Sequence, residues 1–122
     1  MSDPYLHDQY RYQATVIDIY DGDTVTLAVD LGFHVTIQLK FRLSRINAYE
    51  VRGGEKIQGR AARDWLRDQM PVGSQVFIET IQDRVGKYGR YLVELFLPAD
   101  DGTWRNLNDE LVTLGHAKHK EY

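Results

Sequence analysis

The chain has 122 residues, 43% hydrophobic and 27% charged, with a formal net charge of -3 and no cysteine. That length suits a single domain, expected to span 1–122 with loose ends at 1–9 and 116–122. The lack of cysteine excludes disulfides, thiolate zinc sites and cysteine nucleophiles. Met1 to Tyr10 carries no basic leader and no apolar run, so a cytoplasmic location is the default expectation. No stretch approaches membrane-spanning length.

A net negative charge argues against a strongly electrostatic nucleic-acid binder, but the charge is unevenly spread. Between Lys40 and Arg67 there are eight basic residues against Glu50, Glu55 and Asp64. A local field of this kind matters more to a ligand than net charge, because salt screens beyond about 8 to 10 Å.

Tyr10 to Tyr20 is rich in aromatic and β-branched residues and reads as a first strand entering an Asp21-Gly22 turn. Val25, Leu27, Val29 and Leu31 then alternate with polar residues, as do Phe33, Val35, Ile37, Leu39, Phe41 and Leu43. Two period-two runs around Leu31-Gly32 predict a β-hairpin with one buried face. Pairing Asp30 with His34 would set Asp23 opposite Phe41 and beside Arg42. Asp23 shares parity with the apolar positions, so its carboxylate needs a positive neighbour. A structural ion pair with Arg42 and a cation site at the barrel mouth both satisfy that need.

Val51 to Gln58, with Gly53-Gly54, reads as a loop. From Gly59 to Met70, Ala61, Ala62, Trp65, Leu66 and Met70 recur at helical spacing, with Lys56, Arg60, Arg63 and Arg67 on the opposite, solvated side. Pro71 and Gly73 stop the helix. Gln75 to Ile81 and Arg90 to Leu97 are strands, the second buried on both sides. Asp83 to Gly89 joins them. Asn106 caps a last helix in which Leu107, Leu111 and Leu114 are buried and Gly115 is the left-handed stop. His116 and His119 have a metal-compatible spacing but no third ligand nearby, and are read as solvent-exposed.

Three strands, a helix, two strands and a helix predict an α+β, mainly β fold: a five-stranded oligonucleotide-binding (OB) barrel with added helices. Asp21-Gly22-Asp23-Thr24-Val25, Phe41-Arg42-Leu43 through Glu50, Lys87-Tyr88-Gly89-Arg90, Asn108-Asp109-Glu110-Leu111-Val112 and Leu114-Gly115-His116-Ala117 closely resemble the staphylococcal nuclease (thermonuclease) family, from about Tyr10 to Lys118. The resemblance implies a calcium-dependent nuclease acting on DNA or RNA and leaving 3'-phosphates. It implies Asp23, Asn47 and the carbonyl of Ala48 as ligands of one Ca2+ and Asp21 behind them. Glu50, Arg42 and Arg90 match catalytic positions, and Lys87 and Tyr88 match residues that touch a nucleotide phosphate. A monomer is expected, and a phage or mobile-element origin is one way to reconcile a nuclease with a cytoplasmic location.

This residue set also makes chemical sense by itself. Attack on a phosphodiester builds charge on the phosphoryl oxygens, which fixed guanidinium forks stabilise. Carboxylate and carbonyl oxygens suit a hard ion such as calcium. Asn47 stands where the family usually has an aspartate, keeping an oxygen but losing a charge, and Tyr49 replaces the usual proline before Glu50. These departures motivate an alternative, a noncatalytic nucleic-acid-binding module on the same barrel.

Overall fold

Strand β1 (Arg11–Asp21) is the hub of the sheet, antiparallel both to β2 (Thr24–Asp30) and to β5 (Gln75–Val85). The computed structural model describes residues 10–85 and 90–120, without the side chains of 82–85. Strand β3 (Thr36–Leu43) pairs antiparallel with β2 and then parallel with β6 (Tyr91–Pro98), through Phe41↔Tyr91, Arg42↔Leu92 and Leu43↔Val93. Since β6 also pairs antiparallel with β5, the order β1-β2-β3-β6-β5 closes on itself. Closure is made at Phe41 to Leu43, and residues 36–40 of β3 pair with β2 alone. Two register shifts in β1, between Val16 and Asp18 and between Ile19 and Asp21, supply the extra twist that closing a small barrel needs. The expected α+β barrel of five strands with added helices is therefore the fold.

The barrel is filled from its alternating positions. Val16, Ile19, Val25, Leu27, Leu43, Ile78, Val93 and Leu95 are all fully buried. Each such aliphatic side chain is worth roughly 1.5 to 3 kcal/mol of transfer free energy. Leu92 to Leu95 are buried without alternation, as expected for a strand covered on both faces.

Helix α1 (Lys56–Gln69) follows a 3-10 turn at Gly53–Glu55 and so begins earlier than the apolar spacing predicts. It buries Gly59, Ala62 and Leu66, while Ala61 faces out. Its basic face is not wholly solvated: Arg67 Nη2 donates to the Ile19 carbonyl at 2.8 Å, tying the helix to β1. A short strand β7 (Trp104–Asn106), not expected from the sequence, extends β6 outside the barrel. Helix α2 (Leu107–Thr113) starts as predicted, with the Asn106 side chain accepting from the Asp109 N–H at 3.1 Å, and Gly115 adopts φ 81° after it. Leu114, expected inside, is exposed because the helix ends at Thr113.

The predicted hairpin needs two corrections. Asp30 pairs with Thr36 rather than His34, which sets Val25 opposite Phe41 and Thr24 opposite Arg42. The connection is five residues, 31–35, because Gly32, Phe33 and His34 all turn left-handed, at φ 81°, 56° and 62°. Phe33 is accordingly 97% exposed, and Leu31 and Val35 are exposed with it. The slip is an even number of residues, so the remaining alternation keeps its buried face.

Residues 117–119 were expected to lie in a loose end. Instead Ala117–His119 forms β8, which pairs antiparallel with β4 (Ile46–Ala48). No helix among the described residues is long and apolar enough to cross a membrane.

Candidate active-site cleft

The turn Asp21-Gly22-Asp23 delivers two carboxylates to one mouth of the barrel. Asp23 N–H donates to Asp21 Oδ1 at 3.1 Å, which folds the turn back on itself. Gly22 is required here by space, since a Cβ would sit 2.9 Å from the Cβ atoms of both Ala48 and Ala62. Burial, a hydrogen bond between the Asp21 and Asp23 side chains and the charge of Asp23 push the Asp21 carboxyl up to about 7, outweighing the Asp23 N–H, which acts to lower it.

Asp23 is held from three directions. Its Oδ2 lies 2.8 Å from Arg42 Nη1 and accepts the Ala48 N–H at 2.8 Å, while Thr24 Oγ1 donates to its Oδ1 at 3.2 Å. Arg42 Nη2 reaches Asn47 Oδ1 at 2.9 Å. Side-chain exposures of 11% for Arg42 and 8% for Asp23 make this a buried ion pair. Removing one partner of such a pair costs about 3 to 5 kcal/mol, because the other charge is stranded. Arg90 Nη1 donates to Thr24 Oγ1 at 3.1 Å, so one polar chain runs Arg90, Thr24, Asp23, Arg42, Asn47.

The path from β3 to Glu50 is set by a second cluster. Arg45 takes a left-handed φ of 67° between β3 and β4, and its guanidinium binds Glu94 Oε1 at 2.6 Å and Asp109 Oδ1 at 2.8 Å. The Arg45 carbonyl accepts the Lys120 N–H at 2.8 Å. Fully buried Asn108 donates to the carbonyls of Ser44 and Val93 and accepts from the Leu95 N–H, each at 3.0 Å. Together these clamp the exit of β3 against β6, α2 and the segment after β8. Glu50 follows at the exposed rim.

Asp21, Asp23, Arg42, Asn47, Ala48, Glu50 and Arg90 all line one cleft of about 500 Å³. Seven of the nine residues singled out from the sequence thus meet in one place. Lys87 and Tyr88 lie outside the described residues. The cleft also takes Tyr20, Thr24, Arg52 and Lys120, which the sequence reading did not single out. Thr24 was legible as part of the Asp-Gly-Asp-Thr turn, whereas Lys120 enters only because β8 pairs with β4. Arg52 lies over the Tyr20 ring, 6.0 Å from its centroid.

The oxygen donors in this cleft are of the type a hard cation takes. Among the described residues, no cluster of three or more His, Cys, Asp or Glu is placed to hold a metal ion. The donor chemistry fits calcium, but Asp23 Oδ2 and Asn47 Oδ1 both carry the Arg42 guanidinium. His116 is committed elsewhere, its ring 5.9 Å from that of Trp65.

A closed five-stranded barrel with a mixed acidic and basic cleft at its mouth defines a protein of the OB-fold class. A family model described as Staphylococcal nuclease homologue matches residues 40–122, and the chain belongs to that family. Membership points to a nuclease-like, nucleic-acid-binding role. The match covers Arg42, Asn47, Ala48, Glu50 and Arg90, while Asp21 and Asp23 precede it and join them through β1 and β2. A search of curated proteins found no match.

Proposed function

We propose that the protein is a metal-dependent nuclease of low sequence specificity that hydrolyses DNA or RNA to 3'-phosphate ends. One observation carries this reading: two arginines, a glutamate and the Asp23 carboxylate share a single cleft large enough for a phosphodiester. Arg42 and Arg90 would hold the phosphoryl oxygens as charge develops on them. Glu50 would orient a water and take its proton as the water oxygen attacks phosphorus and the 5'-oxygen leaves. Asp23, Asn47 and the Ala48 carbonyl would hold one Ca2+, with Asp21 behind them. Such an ion supplies Lewis-acid polarisation of the phosphate when bound. Lys87 and Tyr88 keep the phosphate-contact role implied by the resemblance.

The test is incubation of the purified protein with single-stranded DNA and millimolar calcium. Short 3'-phosphate fragments are expected, and Glu50→Gln should abolish them. Fragmentation that survives this substitution would sink the proposal.

A second reading is favoured by the Arg42 bridge between Asp23 and Asn47, which holds two expected cation ligands on a guanidinium. It is a noncatalytic nucleic-acid-binding module. Salt-sensitive DNA binding with no turnover under any divalent ion would select it.

A further inference from the structure

Arg42 does more than pair with a buried acid. One guanidinium face spans two oxygens that belong to different elements, Asp23 Oδ2 before β2 and Asn47 Oδ1 in β4, at 2.8 and 2.9 Å. These are the two side-chain oxygens assigned above to the cation, and this inference rests on that assignment. We propose that the Arg42 guanidinium stands in the cation's place when no cation is bound, and that Asn47 tips the competition toward the arginine.

The physical reason is charge arithmetic. A divalent ion gains twice as much from each negative charge in the site as a guanidinium does. An aspartate at 47 would therefore favour the ion over Arg42, whereas asparagine withholds that charge and still offers an oxygen to Nη2. The planar fork of arginine can serve two acceptors at once, which a lysine ammonium cannot do with the same geometry. Arg52, Arg90 and Lys120 around the same cleft further disfavour an entering cation, while Asp21 and Glu50 oppose them. Exchange of Arg42 for the ion frees the guanidinium for phosphate. Asp23 and Asn47 are thus satisfied by Arg42 in the cation-free cleft, and loading it with metal also presents a phosphate-binding group.

Calcium binding by calorimetry, with no substrate present, separates the possibilities. Arg42→Lys keeps the charge and the field but loses the bridge, so it should bind calcium about tenfold more tightly than wild type. Asn47→Asp should also tighten binding. Wild-type and Arg42→Lys proteins with equal affinity, or a weaker variant, overturn the exchange while leaving the cation reading intact. No calcium binding by any of the three proteins overturns both. Should Arg42→Lys fail to fold, the wild-type Arg42 Nε–Hε resonance serves instead: it must shift on calcium saturation, and a resonance that stays put refutes the exchange.

Discussion

Gly59 packs so closely on the backbone of Glu50 that a Cβ added to it would fall on the Glu50 carbonyl oxygen. The helix α1 is thereby a wall against which the Glu50 segment rests, and the position of the proposed catalytic carboxylate depends on a residue with no side chain. Alanine at this interior helix position would gain about 0.5 to 1 kcal/mol from propensity alone. Overpacking against backbone costs about 1 to 3 kcal/mol and should win.

Gly59→Ala is accordingly expected to lower stability by about 1 kcal/mol net in urea unfolding and to reduce cleavage well beyond that loss. An unfolding midpoint at or above wild type would show that the helix can retreat freely.

Thr24 joins Asp23 to Arg90 through a single hydroxyl, donating to the one at 3.2 Å and accepting from the other at 3.1 Å. Thr24→Val preserves shape and removes both bonds, so stability should fall by only about 1 kcal/mol. Because Arg90 would lose one of the contacts that orient it, single-turnover cleavage should drop by about tenfold. Unchanged cleavage would mean that Arg90 is held by other contacts.

Asn108 belongs to a motif shared with the nuclease family, yet it is fully buried away from the cleft and all three of its polar contacts are to backbone groups. Asn108→Leu strands the Leu95 N–H and the Ser44 carbonyl, while the Val93 carbonyl keeps the Ser44 N–H at 2.9 Å. A loss of about 3 kcal/mol in denaturant unfolding is expected, since each buried unsatisfied group costs roughly 1 to 3 kcal/mol. Cleavage per folded molecule should stay near wild type, and a selective loss of turnover would contradict this structural role.

Asp21 gives the cation-free protein a pH dependence of unusual sign for an aspartate. Its carboxyl titrates near 7 in the folded chain against an ordinary value of 3.8, so the folded state binds more protons between the two. The stabilisation is complete below the ordinary value and is lost as pH rises toward 7. Asp21→Asn should flatten the wild-type decline in unfolding midpoint between those limits, measured in chelator. A wild-type curve that rises across that window in step with the variant would refute the assignment.

The strand alternation at Val25 to Val29 and Leu39 to Leu43, the Asn106 cap and the Gly115 stop were legible in the sequence because each follows from local periodicity or local hydrogen bonding. Family motifs carried the identities of Asp23, Arg42, Asn47 and Glu50. Register was not legible, since three successive left-handed residues at Gly32, Phe33 and His34 have no warning in a run that alternates cleanly. Strands β7 and β8 are three residues each, too short to show a period, and exist only because β6 and β4 offer them partners. The arrangement of the cleft was decided by tertiary structure: the β2–β3 register sets Asp23 beside Arg42, the β4–β8 pairing fixes Asn47 near them, and only barrel closure through β6 brings Arg90 to the same mouth.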